Sequence, residues 1–159
     1  MSKYSEAQYE AHIWLSRNWG KDNEIESYEK RKQDIISQLS GIGRYDAEFI
    51  PTNTGENSTE TKNLEYSYLC AKIENLVKEI SVENIKTCEV IDQIKDPTMH
   101  SMLYDRYINR MGWGAIQNKY HYAQRQPYRI VHEGLEKIRA FIPDEEVIKA
   151  IQDGEIQRG

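Results

Sequence analysis

The sequence predicts an all-α fold, in which long N-terminal helices form a helical hairpin or a coiled coil and a compact module of short helices follows. Three observations lead to this prediction. Only four prolines and nine glycines occur among 159 residues, so most of the backbone can be helical. Charged residues make up 30% of the chain and the mean hydropathy is -0.80, which is typical of elongated, surface-rich helices. Apolar residues also recur every three or four positions over long stretches, which is the period of helices that pack against helices.

The first helical segment is predicted over residues 5–39. Its stripe of packing positions has the spacing of a helix that contacts another helix, and it comprises Trp14, Ile25, Tyr28, Lys32, Ile35 and Leu39. Gly20 interrupts the pattern, so we expect two helices here, with Asp22 or Asn23 capping the second. Residues 40–59 are rich in Gly, Ser, Thr and Asn and are predicted to form a mobile loop.

A second long helix is predicted to begin near Ser58 or Thr59. Its coiled-coil seam repeats at intervals of four, three and four residues and consists of Leu69, Ile73, Leu76 and Ile80. The pattern predicts a register slip over residues 82–85, after which Ile85 and Cys88 place apolar groups on a neighbouring face. Two arrangements fit this seam equally well: a hairpin within one chain, and an arm that pairs two chains.

A series of short helices is predicted from Asp96-Pro97 onward, because Asp caps helices well and Pro fits the first helical position. The first has an apolar face made of Met99, Met102, Leu103, Tyr107 and Ile108. The next three are predicted over residues 113–120, 123–141 and 143–152. The chain is thereby divided into a long helical segment, a basic module and a short terminal helix with its tail, at residues 1–96, 97–142 and 143–159.

Positive charge is concentrated in residues 100–142, which carry seven basic and three acidic side chains, a net charge of +4. The remaining 14 basic and 23 acidic residues give -9, in a chain whose net charge is -5. A basic segment on an acidic body is typical of nucleic-acid-binding proteins of low isoelectric point. Three closely spaced short helices that end in a basic one indicate a helix-turn-helix unit, whose second helix reads the major groove of DNA.

Within this unit, Ile116 and Tyr120 are expected to bury the first helix of the pair. The turn is assigned to His121-Tyr122, with Tyr122 packed inward, and Ile130 is expected to anchor the second helix.

Pro127 decides where the second helix begins. With Ala123 as the cap, Pro127 would be the fourth helical residue and would delete the first intrahelical hydrogen bond. With the cap at Gln124 or later, Pro127 falls among the first three positions, where it costs little. We predict the later start, and therefore a shortened recognition helix.

The candidate DNA-binding residues follow from the chemistry of base edges and phosphates. Arginine can contact both acceptors on guanine, and glutamine can contact the adenine edge, so the candidate base-reading residues are Gln124, Arg125, Gln126 and Arg129. Tyr128 or His132 is expected to reach a phosphate or a thymine methyl group. The backbone of the DNA is expected to lie against Lys119, Arg110 and the region of Trp113.

The stretch "IDQIKDPTMHSMLYDRYINRMGWGAIQNKYHYAQRQPYRIVHEGLEKI", residues 91–138, resembles region 4 of bacterial sigma factors and, more closely, the ArpU-type transcriptional regulators of Firmicute phages and prophages. The matching positions are Leu103, Arg106, Tyr107, Trp113, Ile116, Tyr122, Arg125, Leu135 and Ile138. Such proteins also place a long, charged, two-helix segment ahead of the module. The chain departs from the pattern at His121, where Gly is usual, at Gln117, where a small residue is usual, and at Pro127, where an aliphatic residue is usual.

The resemblance implies a sequence-specific DNA-binding transcription regulator of the phage or prophage late-gene activator type. Its expected partners are double-stranded DNA, host RNA polymerase and a second copy of the chain, since a homo-oligomer, with the dimer favoured, suits such a regulator. Two alternatives stay open: a DNA-packaging adaptor like the phage small terminase subunit, and a helical adaptor that binds only proteins.

Other classes are not indicated by the sequence. We find no Gly-rich phosphate loop, no nucleophile elbow and no metal-ligand spacing, so we expect neither an enzyme nor a cofactor or metal. No apolar run approaches the roughly 20 residues needed to cross a bilayer. The N-terminal residues lack the pattern of a secretory signal, and two cysteines, Cys70 and Cys88, predict free thiols. These features fit a reducing cytoplasm, and the resemblance implies that this is the cytoplasm of a bacterial host, where the protein would be associated with DNA.

Overall fold

A computed structural model of the protein describes residues 4–44, 53–123 and 125–158, and every regular element in these ranges is helical. The helices are α1 (Glu6–Leu15), α2 (Trp19–Arg44), α3 (Asn53–Ile91), α4 (Pro97–Tyr107), α5 (Trp113–Tyr120), α6 (Gln126–Ile138) and α7 (Asp144–Arg158), with a 3₁₀ turn at Arg139–Phe141. The predicted all-α class is confirmed. None of these helices, within the described ranges, is both long and apolar enough to span a membrane.

The chain forms two compact units. The hairpin unit is Trp19–Ser81, and the terminal unit combines Met1–Asn18 with Val82–Gly159. Helix α1 therefore packs with the short C-terminal helices, although the long helices separate it from them in sequence. The division predicted at residues 96 and 142 rests on composition and stays a prediction.

In the hairpin unit, α2 and α3 lie side by side in opposite directions. Arg31 donates two hydrogen bonds to the Glu65 carboxylate, at 2.7 and 2.8 Å, and Lys21 lies 3.5 Å from Glu79. Among the side chains of this unit that the structure describes, the buried apolar ones are Ile35 of α2 and the predicted seam of α3, Leu69, Ile73, Leu76 and Ile80. The seam is confirmed, and it is buried within a single chain as a helical hairpin. Cys70 and Cys88 are free and half-buried.

The break between the first two helices lies earlier than predicted. Helix α1 ends at Leu15 and α2 begins at Trp19, so Gly20 and Asp22 lie in the first turn of α2 and the predicted cap at Asp22 or Asn23 is wrong. Hydrogen bonds at the end of α1 explain the position. The Ser16 hydroxyl donates to the His12 carbonyl at 2.7 Å, and the Arg17 guanidinium donates to the Trp14 carbonyl at 2.8 Å, which satisfies acceptors that a helix end leaves open.

The predicted loop over residues 40–59 is shorter in the structure. Helix α2 continues to Arg44 and α3 begins at Asn53, so the predicted start at Ser58 or Thr59 is wrong, and residues 45–52 lie outside the described ranges. A single glycine costs a helix only about 1 kcal/mol relative to alanine, which is too little to end a helix by itself.

The face predicted to take over after the register slip in α3 is not the buried one, because Ile85 is exposed. Thr87 and Ile94 are buried at the original heptad positions, whereas Ile91 is buried in place of Val90, the residue that the heptad pattern predicts. A threonine can occupy the seam because its hydroxyl donates to the Glu83 carbonyl at 3.1 Å, so that no buried polar group is left without a partner.

The short helices follow the sequence signals closely. The Asp96 side chain caps α4 by accepting from the Met99 backbone N–H at 3.0 Å, and α5 has the predicted bounds. The last helix, α7, is longer than the predicted 143–152 because it runs on to Arg158. Its first turn contains three acidic residues, which the positive end of a helix favours.

The core of the terminal unit joins α1, α4, α5, α6 and α7. Helix α6 packs against α1, α4 and α5, and α1 also packs against α7. The largest side chains buried at their centre are Trp14, Met102, Leu103, Ile116, Leu135 and Ile138. Gly134 marks the closest approach of α6 to α4, because a Cβ atom added there would lie 2.8 Å from Leu103 Cδ1.

Candidate nucleic-acid interface

The turn between α5 and α6 is built on a left-handed residue. His121 has φ 58° and ψ 36°, as expected where a helix ends at a position that usually carries Gly. The backbone N–H groups of His121 and Tyr122 both donate to the Gln117 carbonyl, and this closes α5.

Helix α6 starts late enough to accommodate its proline. Arg125 is the N-cap, Gln126 is the first helical residue and Pro127 is the second, so the predicted late start is confirmed. Pro127 has no N–H group to donate, but the first turn of a helix has no acceptor for one. The ring of Pro127 is buried, so it supplies apolar contact in place of the aliphatic side chain usual at this position.

Two packing predictions in this region are wrong. Ile130 is only half-buried, and the anchoring face of α6 consists of Pro127, Val131, Gly134, Leu135 and Ile138. Tyr122 is exposed, and its ring stacks on Tyr120 at a centroid distance of 6.4 Å. Tyr120 takes the inward role, because its hydroxyl reaches a buried carboxylate.

That carboxylate belongs to Asp105, which only the structure identifies as a site residue. Asp105 is buried and accepts from Lys119 Nζ at 2.7 Å, Tyr120 Oη at 2.6 Å and Asn109 Nδ2 at 3.1 Å. Burial opposes ionisation of Asp105, but these hydrogen bonds outweigh it and lower its pKa. Burial and the bond to Asp105 raise the pKa of Tyr120 to about 12.

Of the two residues predicted to contact the DNA backbone, Lys119 and Arg110, Lys119 binds this carboxylate. Lys119 keeps about half of its side chain, 51%, exposed to solvent while its ammonium group binds Asp105. Arg110 is half-buried with φ 56°, and the next residue, Met111, donates its N–H to the Asp105 carbonyl at 2.9 Å. Arg110 therefore lies in the turn between α4 and α5, whereas Lys119 lies in the last turn of α5 and reaches back to α4 through Asp105.

Arg125 and Arg129 differ in their side-chain contacts from the other arginines of the terminal unit whose contacts are defined. Arg17 binds Glu83, Arg106 lies over the Trp113 ring, and Arg139 binds Glu10 and Asp144. The side chains of Arg125 and Arg129 are exposed on the face of α6 opposite its buried face. Neither makes a side-chain hydrogen bond or ion pair with any residue in the described ranges.

The remaining candidate residues, at or near α6, differ in their exposure and in their contacts. Gln126 is half-buried next to Arg125, and Gln124 lies outside the described residues. The Tyr128 ring stacks on Trp113 at 4.2 Å. The His132 ring lies 4.8 Å from the Tyr4 ring, and burial lowers its pKa, so its imidazole is mainly neutral at pH 7.

The cap and first turn of α1 contact α6 at His132 and Glu136. The Gln8 side chain donates to the His132 carbonyl at 3.1 Å, and Ser5 Oγ donates to Glu136 at 2.7 Å. His12 shares a 2.7 Å hydrogen bond with the Tyr107 hydroxyl. Burial, together with the charge of Arg106 and the nearby His132, lowers the pKa of His12 to about 4. These residues lie 95 to 131 positions from their partners, so no local spacing could have linked them.

The start of α6 presents two exposed arginines, and the exposed side of the helix beyond them carries Glu133, Glu136 and Lys137. Arg125 caps α6 and Arg129 lies four residues further on, in the first turns of the helix, so their Cα atoms are about 6 Å apart along the axis. Of their neighbours, Tyr128 stacks on Trp113, and the His132 ring makes a tilted contact with the Tyr4 ring. No family model, curated protein or solved structure matches the chain. The resemblance to ArpU-type regulators is therefore a hypothesis carried by the sequence motif.

Proposed function

We propose that the protein is a sequence-specific DNA-binding transcription regulator of the phage or prophage late-gene activator type. The observation that carries this proposal is the unengaged, exposed pair Arg125 and Arg129 at the start of α6. An arginine whose charge has no partner in the protein is free to bind the two acceptors of guanine, whereas one in an ion pair must first break it. The motif resemblance in residues 91–138 supports the same function.

In this proposal, α4, α5 and α6 act as a helix-turn-helix module. Helix α6 enters the major groove, Arg125 and Arg129 contact base edges, and Gln124 and Gln126 assist them. Lys119 and Arg110 lie towards the DNA backbone and add affinity without sequence preference. The short α6 brings its first turn to the bases, as recognition helices do.

The regulator would act by recruitment in the cytoplasm of a bacterial host. It would bind as a homo-oligomer, with the dimer favoured, to half-sites about 10 base pairs apart or at multiples of that spacing. The acidic helices outside the module would contact RNA polymerase. No cofactor or chemical step is involved.

A single pair of variants tests base reading. A duplex selected from a random pool supplies the target, and fluorescence anisotropy compares it with a scrambled duplex at one salt concentration. Arg129→Lys keeps the charge but loses the two-pronged geometry, so we expect weaker binding to the target by about 5- to 150-fold and little change on the scrambled duplex. Arg129→Ala should weaken binding to both, with the larger loss on the target.

Lys137→Ala is the matched control, because Lys137 is exposed on the same helix eight residues beyond Arg129, about 12 Å along the axis. It should leave the ratio of target to scrambled affinity unchanged. Equal losses on both duplexes for Arg129→Lys would contradict base reading. Failure to bind any duplex at about 50 mM salt would favour a protein-binding adaptor instead.

A further inference from the structure

The turn between α5 and α6 exposes a tyrosine to which the proposed function assigns no role. Tyr122 is 38% exposed, and it lies three residues after Lys119 and three residues before Arg125, both of which are also exposed. The Tyr122 hydroxyl makes no hydrogen bond with any residue in the described ranges. Lysine, arginine and tyrosine side chains all donate hydrogen bonds to DNA phosphates, so a phenol placed between two cations along the chain suits the same ligand.

The ring of Tyr122 is held by contacts within the protein. It stacks on the Tyr120 ring, with the two ring planes 17° apart and the centroids 6.4 Å apart. The Tyr120 hydroxyl in turn donates to the Asp105 carboxylate at 2.6 Å, and the same carboxylate accepts from Lys119 Nζ at 2.7 Å. The pKa of Tyr120, raised to about 12, keeps its hydroxyl a donor at neutral pH. One buried carboxylate therefore positions Lys119 directly and the Tyr122 ring through Tyr120.

The backbone of Tyr122 is also fixed. Its N–H donates to the Gln117 carbonyl at 3.3 Å, in the turn that follows the left-handed His121. A side chain that is already ordered loses less conformational entropy when it binds a ligand. The ring stack and the closed turn together preorganise Tyr122 for a contact outside the protein.

We propose that Tyr122 is a further DNA-contacting residue, whose hydroxyl donates to a phosphate oxygen of the duplex, and that Asp105 positions it through Tyr120. The inference rests on the proposed function, because it adds a contact to the same helix-turn-helix module. It also gives the buried Asp105 a positioning role at the DNA surface.

The length of the turn explains why the contact is with the DNA backbone. The three residues from Tyr122 to Arg125 span at most about 11 Å, and the major groove is about 12 Å wide. With the start of α6 in the groove, Tyr122 lies at the edge of the groove, where the sugar-phosphate strand runs. A contact there adds affinity without sequence preference, unlike the base contacts proposed for Arg125 and Arg129.

Tyr122→Phe tests the phosphate contact, because it removes the hydroxyl and keeps the ring stack. Fluorescence anisotropy should show binding weakened by about 3- to 10-fold on the target duplex and equally on the scrambled duplex, since one hydrogen bond is lost. Unchanged binding to both duplexes would overturn the contact. A loss confined to the target would overturn it too, because it would indicate a base contact.

Three comparisons separate this loss from an indirect effect. Tyr9→Phe is the matched control, because Tyr9 is exposed to a similar extent, at 43%, and lies on α1 outside the module; it should leave both affinities unchanged. The phenol is neutral, so Tyr122→Phe should not change the slope of log affinity against log salt. Its urea midpoint should equal that of the wild type. Equal losses for the two variants, a lower slope or a shifted midpoint would contradict a direct phosphate contact.

A double-mutant cycle tests the positioning role. Tyr120→Phe removes the hydroxyl that reaches Asp105 but keeps the ring, and Asp105 still accepts from Lys119 and Asn109. In this background Tyr122 is less well held, so the loss caused by Tyr122→Phe should fall to about twofold or less. An undiminished loss would refute positioning through Tyr120, since a purely structural role for Tyr120 would leave the two effects additive.

The inference and the proposed function fail in different ways. If Arg129→Lys weakens only target binding while Tyr122→Phe changes neither duplex, the inference alone is refuted. If Tyr122→Phe weakens binding to both duplexes while Arg129→Lys does not alter the ratio of target to scrambled affinity, base reading alone is refuted. Absence of binding to any duplex at about 50 mM salt would refute both.

Discussion

Replacing Gly134 with alanine tests how tightly α4 and α6 cross beneath the proposed reading face. The added Cβ atom would lie 2.8 Å from Leu103 Cδ1, 3.1 Å from Met99 Cγ and 3.2 Å from Leu103 Cγ. Leu103 is fully buried and Met99 nearly so, which leaves them little room to move away. The new methyl group must therefore displace one helix or force a strained side-chain rotamer.

Two opposing effects determine how much Gly134→Ala changes the free energy of unfolding. Alanine in a helix interior gains about 1 kcal/mol over glycine through helix propensity. Overpacking a core by one methyl group costs about 1–3 kcal/mol. We expect the packing cost to exceed the propensity gain, so that Gly134→Ala lowers the free energy of unfolding by about 1 kcal/mol, since the contact is closer than real Cβ atoms tolerate.

Urea unfolding followed by circular dichroism measures this difference, with Gly154→Ala as the control. Gly154 also lies within a helix, but a Cβ atom there would have no atom within 4 Å, so only the propensity gain remains. The control should therefore be neutral or stabilised by up to about 1 kcal/mol. If Gly134→Ala were stabilised to the same extent as Gly154→Ala, the close crossing of α4 and α6 would be refuted.

Two further predictions follow from single residues of the terminal unit. His121→Gly should raise the free energy of unfolding by about 0.5–1 kcal/mol in the same urea assay, because glycine adopts the left-handed conformation at φ 58° without strain; an unchanged midpoint would contradict a strained turn. The lowered pKa of His12 predicts that the folded protein loses stability in acid. Its pKa is about 4 in the folded protein and about 6.5 when unfolded, so only the unfolded state gains the proton between these values. Stability should fall as the pH drops from about 6.5 to 4, by up to about 1.4 kcal/mol per pH unit from this group, and His12→Gln should flatten the slope. Equal slopes for wild type and His12→Gln would refute a buried neutral imidazole.

Features with local causes were predictable from sequence. Asp96-Pro97 begins α4 because a cap and a proline act within one turn, and Pro127 places the start of α6 because its missing N–H is tolerated only there. The seam of α3 was predictable because helical periodicity alone selects one face. The break at Ser16 was missed because it depends on side-chain bonds to the end of α1, and composition does not reveal these.

The candidate site likewise combines features that the sequence predicts with features that it does not. The exposure of Arg125 and Arg129 follows from the period of α6, once the buried face is assigned. The engagement of Lys119 by Asp105 and the burial of His132 against Tyr4 do not follow from any short spacing. Ile130 and Val131 are adjacent and both apolar, and only the neighbouring helices determine which of them is buried.

By itself, then, the amino-acid order determined that the protein is helical, where most short helices start, and which stripe of each helix is apolar. Tertiary structure alone decided which stripes meet: α1 packs with helices more than 80 residues further along the chain, and the α3 seam is buried inside one chain. The physical reason is that capping and backbone hydrogen bonding act over a few residues, whereas apolar burial is non-directional and accepts any complementary surface that the folded chain brings near.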